Sequence, residues 1–268
     1  MRVAILGAGL AGMVAAKAVM DAGGKVEKII TDKLAGGFPG FVYLEEDLGL
    51  GLKEQNFIVK REGSKEVYAQ KRQGLEDIDR SSWDKFPPKM YRAYNPKEAY
   101  VELLRIFGPV LEYDRFEEGA VESRAVLRLL DNYDLVISTI PKPTMFPFLS
   151  YNGVEGLLVK TRKALNSVDK QVVIYNGDYN SVWSRVSNLW GERWYEYYHH
   201  KSSGYKVEIS DRDTVIPTVK PNGHSGTAYV PENLILEGRL GRWERSRKVI
   251  DTYYRVYGKI KENSTKNS

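Results

Sequence analysis

Apolar positions along the chain follow two periods. Val3, Ala4, Ile5 and Leu6 run without a polar break, which predicts a short buried strand. Leu10, Met13 and Val14 then recur at helical spacing among alanines, and Gly23-Gly24 closes that helix. Val26, Ile29 and Ile30 mark a second strand that finishes at Asp32, so the first stretch reads as a β-α-β unit. From Leu34 to Gly51 glycine and turn residues dominate, and LAGGFPGF reads as a loop hugging something. Residues 52–92 are charged and irregular, with short strands expected at Phe57–Lys60 and Val67–Lys71. They read as an inserted lid.

The pattern sharpens again at NPKEAYVELLRIFG. Asn95 caps a helix, Pro96 takes its first position and Glu98 completes a capping box, while Ala99, Leu103, Leu104 and Phe107 form the apolar face. A strand, PVLEY, follows, then a helix capped by Ser123 and running through Leu130, then the buried strand of YDLVISTIPKP, stopped by Pro141. Residues 144–215 are aromatic-rich and predicted to form sheet. NLILEGRLGRW runs from strand to glycine turn, and the helix after it places Val249, Tyr253, Val256, Tyr257 and Ile260 on one face.

Composition narrows the chemistry. The chain has 268 residues and no cysteine, which excludes disulfides, thiolate-ligated zinc, a thiol nucleophile and a cysteinyl–flavin bond. Three histidines are too few for a His-rich metal site. The net charge of +5 suits an anionic ligand, such as a dinucleotide, a nucleotide sugar or nucleic acid, but also suits a basic soluble surface. No apolar run approaches a membrane span and no signal-peptide layout opens the chain, so a cytoplasmic location is the expectation.

Three glycines stand in six positions directly after the first strand. Gly7-Ala8-Gly9-Leu10-Ala11-Gly12 matches G-x-G-x-x-G between strand and helix. Gly7 permits the tight turn, Gly9 lets a pyrophosphate approach the backbone, and Gly12 lets the helix pack on the strand. The helix N-terminus, from Leu10 and Ala11 on, offers free N–H groups and a positive dipole end to the phosphates. Asp32, closing the second strand, is placed to accept ribose hydroxyls.

This N-terminal unit, with Gly36-Gly37 shortly after Asp32, resembles FAD-binding enzymes of the amine oxidase, protoporphyrinogen oxidase and UDP-galactopyranose mutase superfamily. Three later stretches strengthen the resemblance, in the expected order. YDLVISTIP looks like the strand passing near the cofactor after the inserted domain. WSRVS resembles a sheet segment carrying an Arg near the substrate, here Arg185. ENLILEGRLGRW resembles the C-terminal return, in which Gly238, Arg239 and Trp243 lead into a helix aimed at the flavin. The chain is much shorter than most members, and Phe38-Pro39 stand where an Arg often follows the glycine pair.

The resemblance implies an α/β protein with a Rossmann-like FAD-binding domain and an inserted β-rich cap domain. The FAD-binding domain would be discontinuous, from residues 1–51, 93–143 and 216–261. Residues 52–92 would form the lid, 144–215 the cap and 262–268 a disordered tail. The activity implied is an FAD-dependent oxidoreductase, hydride passing from a small or nucleotide-linked substrate to flavin and on to an acceptor. Three alternatives stay open: a non-redox mutase-like enzyme on a nucleotide sugar, an enzyme modifying a base in nucleic acid, and a cofactor-binding sensor without turnover.

Several residues carry two readings. Arg185 suits an anionic substrate group or a salt bridge. Trp183, Trp190, Trp194, Tyr195, Tyr197 and Tyr198 suit a stacking pocket or a packed sheet face. His199, His200 and His224 read as structural or exposed. Arg242, Arg245, Arg247 and Lys248 crowd a helix start, where an anionic ligand would relieve their conflict with the helix dipole.

The protein is expected to purify yellow with noncovalent FAD, identified by absorbance and by mass analysis of the released cofactor. A colourless protein that binds NADH but not FAD by calorimetry overturns this cofactor.

Overall fold

The computed structural model describes residues 1–32, 42–73, 87–116, 119–120, 123–161, 171–198, 209–244 and 248–266. The N-terminal pattern folds as the periodicity dictates: β1 (Arg2–Leu6), α1 (Leu10–Asp21) and β2 (Lys25–Thr31). β1 is flanked on one side by β2 and then β5 (Leu111–Tyr113), and on the other by β6 (Leu135–Ser138) and then β12 (Leu234–Leu236). All four pairings are parallel, giving a five-stranded Rossmann-like sheet. The winding direction reverses at β1/β6. In open parallel sheets, that reversal leaves a crevice at the strands' carboxyl ends.

Helices cover both faces of this sheet. α1, α3 (Pro96–Phe107) and α7 (Val249–Lys266) bury one face around Val3, Ile5, Met13, Val14, Leu103, Val256 and Ile260. α4 (Arg124–Asn132) and the short α5 (Lys142–Met145) cover the other, with Leu6, Val126, Leu129, Met145 and Phe146. Both N-caps match the sequence reading, although Glu98 meets the Asn95 side chain rather than its backbone amide. Asn95 accepts from the Lys97 amide at 3.0 Å and its amide group donates to Glu98 at 3.1 Å. Ser123 accepts from the Val126 amide at 3.3 Å.

A second, seven-stranded mixed sheet gathers β3 (Gln55–Gly63), β4 (Lys89–Ala93), β7 (Ser150–Lys160), β8 (Val172–Gly177), β9 (Arg185–Leu189), β10 (Glu192–Tyr198) and β11 (Thr214–Ser225). Its order is β11-β7-β10-β9-β8-β3-β4. Two strands from the stretch read as a lid, β3 and β4, are thus hydrogen-bonded members of the same sheet as the aromatic segment. Among the described residues, no helix is long and apolar enough to cross a membrane.

Three local expectations need correction. The expected strand at Val67–Lys71 is helical, within α2 (Lys65–Gln73). Lys, Glu, Ala, Gln and Arg outweigh the lone Val67. The Ser64 hydroxyl accepts from the Val67 amide, while Tyr68 and Ala69 bury the inner face. The turn expected in EGRLGRW is a short helix, α6 (Gly238–Arg242). The tail expected to be disordered from residue 262 continues α7 through Lys266, where Ser264 and Thr265 hydroxyls donate to carbonyls one turn back.

A polar strut joins the sheets. The Glu192 carboxylate in β10 receives Lys160 at 2.6 Å, the Trp194 indole N–H at 3.1 Å, and Lys97 from the first turn of α3. Burial works to raise the Glu192 pKa, but the hydrogen bonds from Lys160, Lys97 and Trp194 prevail and hold it at about 2. An unfolded glutamate titrates near ~4.3. Its stabilisation is therefore complete above that value and is lost as pH falls toward about 2. Glu192→Gln should lower the melting temperature at pH 7 and flatten its dependence on pH between 5 and 2. A variant whose pH profile parallels the parent's refutes the strut.

Candidate dinucleotide site

The β1–α1 turn is pinned from three directions. The Gly7 amide donates to the Ile30 carbonyl at 2.7 Å. The Tyr100 hydroxyl of α3 donates to the Ala8 carbonyl at 2.7 Å. The Thr139 hydroxyl, just beyond β6, lies 3.1 and 3.2 Å from the carbonyls of Leu6 and Gly7. Tyr100 and Thr139 escaped the sequence reading. Neither sits in the motif, and only the β1–β6 pairing brings Thr139 to the turn.

Each motif glycine has its own reason. Gly7 has φ +97°, and a Cβ there would lie 2.6 Å from the Thr139 hydroxyl. A Cβ on Gly12 would lie 1.8 Å from the Gly7 carbonyl oxygen, so these two glycines are demanded by the fold itself. Gly9 is different: it is exposed, and a Cβ would meet nothing within 4 Å. Packing does not require it bare. The space beside it lies at the N-terminus of α1, which has no side-chain cap and no acidic residue in its first turn. Leu10 is buried and Ala11 half-buried, so their contribution is backbone amides. An uncapped helix end facing open space is a ready seat for phosphate.

The C-terminal motif converges on this turn. A Cβ on Gly238 would lie 2.9 Å from the Ala11 Cβ, and one on Gly241 would lie 2.9 Å from the Ser138 carbonyl. α6 therefore sits across the carboxyl ends of β6 and β12, against the start of α1. Arg239 is exposed on it. Asp32 is exposed directly after β2, at the same sheet edge. Gly36 and Gly37, like His199 and His200, lie outside the described residues.

Trp243 also packs inward. It is buried, its indole N–H donates to the Asn152 carbonyl at 2.9 Å, and its ring meets Tyr151 edge-on at 5.2 Å. It fastens α6 to β7. The cation cluster that follows is met by carboxylates: Arg242 binds Glu244 at 2.8 Å and Lys248 binds Glu45 at 2.6 Å. At these two residues, no anionic ligand is needed to balance the charge. Arg245 and Arg247 lie outside the described residues.

Arg185 is buried in β9 rather than set at the cradle, and it pairs with Glu196 of β10. Burial opposes its charge, and the Glu196 carboxylate more than offsets this, so the guanidinium stays protonated above its ordinary range. Lys220 of β11 lies 3.5 Å from Glu196 and 3.9 Å over the Tyr198 ring. The sequence reading passed over Glu196 and Lys220. Strand alternation in WYEYY, which puts Glu196 on the face of Trp194 and Tyr198, was the available signal. The aromatic segment packs as sheet, with Trp183 edge-on to Tyr195 at 5.9 Å and Trp194 and Tyr198 buried.

No protein-family profile and no curated protein sequence matches the chain. Solved structures do share its fold. A reduced UDP-galactopyranose mutase superposes with a TM-score of 0.56 at 10% identity, covering 98% of this chain and 95% of that one. A tryptophan 6-halogenase from Streptomyces toxytricini gives 0.58 at 9% identity, covering 97% and 71%. The p-nitrophenol 4-monooxygenase of Pseudomonas putida DLL-E4 gives 0.54 at 12% identity, covering 97% and 80%. At such identities the likeness establishes the α/β fold, a parallel Rossmann-like sheet with a second mixed sheet.

Gly9→Val should fold normally, because its Cβ enters open space, yet lose most dinucleotide binding in a calorimetric titration. Asp32→Ala should weaken binding by about 1.5–3 kcal/mol, the worth of a charge-assisted hydrogen bond. Full occupancy in both variants removes the turn from the site.

Proposed function

We propose that the chain is an FAD-dependent oxidoreductase acting on a small or nucleotide-linked substrate. One observation carries this reading: the uncapped N-terminus of α1, with open space at Gly9 and Gly238 set against Ala11, at the crevice where the parallel sheet reverses direction. Gly7, Gly9, Leu10, Ala11 and Gly12 would hold the pyrophosphate, Asp32 the ribose, and Gly238 and Arg239 the far side of the dinucleotide. Gly36 and Gly37 complete the motif by sequence. A bound flavin supplies hydride acceptance; the protein supplies position and electrostatics.

The five-stranded sheet and its helices would form the discontinuous cofactor unit, and the seven-stranded sheet the cap over it. The cap's buried Arg185 is the candidate contact for an anionic substrate group, with Glu196 fixing the guanidinium plane.

A second reading is a mutase-like, non-redox enzyme on a nucleotide sugar. Its support is the match to UDP-galactopyranose mutase over nearly that chain's whole length, whereas the halogenase and monooxygenase are longer. Redox dependence separates the two. An oxidoreductase bleaches its flavin absorbance on mixing with substrate and recovers with an acceptor. Turnover that requires prior reduction by dithionite, and consumes no reductant per cycle, displaces the first reading in favour of the second.

A further inference from the structure

Along the free edge of β12 runs a groove of about 980 Å³. Its walls are β12 itself, Arg255 and Lys259 of α7, Lys142 beyond β6, His224 near the end of β11, and Arg242. None of residues 7–12 lines it. At one end the Lys142 Nζ and the His224 Nε2 stand 2.6 Å apart. Among the described residues, neither has an ion pair with a carboxylate. Three acids line the groove: Glu244 receives Arg242 at 2.8 Å, Glu237 receives Arg255 at 3.1 Å and Arg242 at 3.9 Å, and Glu262 stands on α7.

Two positive charges cannot share so short a contact without a counterion. The imidazole, whose ordinary pKa is far lower than the ammonium's, must be the neutral partner, accepting the Lys142 proton at Nε2. Burial lowers the His224 pKa, Lys142 lowers it further, and Glu244 opposes this weakly. Burial and then Arg242 lower the Lys142 pKa, against the Glu244 carboxylate, which raises it. Tyr151 backs the imidazole with its ring at 6.0 Å.

We propose that this groove is a second ligand site, for a small phosphorylated molecule whose phosphate replaces the Lys142–His224 hydrogen bond, accepting from both side chains, and whose body lies along the β12 edge. A dianion matches an ammonium and an imidazolium together, where a carboxylate would match only one. The volume exceeds what an ion needs, since a water occupies ~30 Å³. Binding takes up a proton on His224, so affinity for an anion of fixed charge rises as pH falls.

The test is a histidine NMR titration of the intact protein from pH 4.5 to 8, with sulfate against chloride at equal ionic strength. Sulfate keeps its charge throughout. His224→Asn assigns the resonance. Sulfate should raise the His224 midpoint by about one pH unit, and Lys142→Gln should abolish that rise. No rise, or an equal rise in Lys142→Gln, overturns the site. Should Lys142→Gln fail to fold by circular dichroism, calorimetry on His224→Asn decides. Its sulfate affinity should no longer strengthen between pH 7.5 and 5.5, and an undiminished dependence overturns the site. Glucose 6-phosphate should bind at least tenfold more tightly than inorganic phosphate. Equal affinities, an adventitious ion only, overturn the ligand class.

Discussion

The contact between α1 and the turn before it governs the geometry of the parallel sheet's carboxyl edge. The Gly7 carbonyl oxygen occupies the place where residue 12 would carry a Cβ, so the helix starts pressed against the strand end that feeds it. Gly238 against Ala11 and Gly241 against the Ser138 carbonyl extend the same close packing to α6. Backbone thus meets backbone around the end of β1. The helix forgoes an N-terminal side-chain cap, which typically contributes ~1 kcal/mol. The buried stripe from Leu10 to Val19 compensates for that loss, and the first amides of α1 remain available at an open surface.

Much of this edge was legible in the sequence because its constraints are local. Strand, glycines and helix lie within twenty residues, and Gly7's positive φ and Gly12's contact with the Gly7 carbonyl are both set inside that stretch. The caps at Asn95 and Ser123 were legible for the same reason. What sequence reasoning missed depends on partners far along the chain. Thr139 reaches the turn only through the β1–β6 pairing, and nothing local to Trp243 reveals its hydrogen bond to Asn152. Residues 52–92 looked irregular because β3 and β4 satisfy their backbones across a sheet assembled from distant segments. The stretch expected as a strand at Val67–Lys71 is instead decided by its run of helix-forming residues, KEVYAQKRQ.

The cap sheet obeys a different physics. Arg185, Glu196 and Lys220 come from three strands and are buried together, with Tyr175 and Tyr198 rings against the two cations. Such a group gains little net stability, because desolvation offsets most of the Coulomb attraction. Removing one partner is another matter, since it strands a buried charge at a cost of roughly 3–5 kcal/mol. The arrangement therefore disfavours slipped registers. A one-residue slip of β10 would turn Glu196 to the opposite face and leave both cations facing aromatic rings.

The two sheets differ in how they cohere and in how they meet. The largest apolar clusters surround the parallel sheet, and two smaller ones lie on the seven-stranded sheet. Directional polar contacts tie the sheets together: Lys97 to Glu192 at the start of α3, the Trp190 indole to the Val42 carbonyl, and the Trp243 indole to the Asn152 carbonyl. A hydrogen bond fixes distance and direction, whereas apolar area tolerates sliding. The first tie anchors the seven-stranded sheet to α3, whose Tyr100 also holds the Ala8 carbonyl; the last anchors it to α6, which abuts Ala11. Both routes end on the β1–α1 turn. The seven-stranded sheet is thereby tied to the turn through two short paths of packed helix and directional hydrogen bonds.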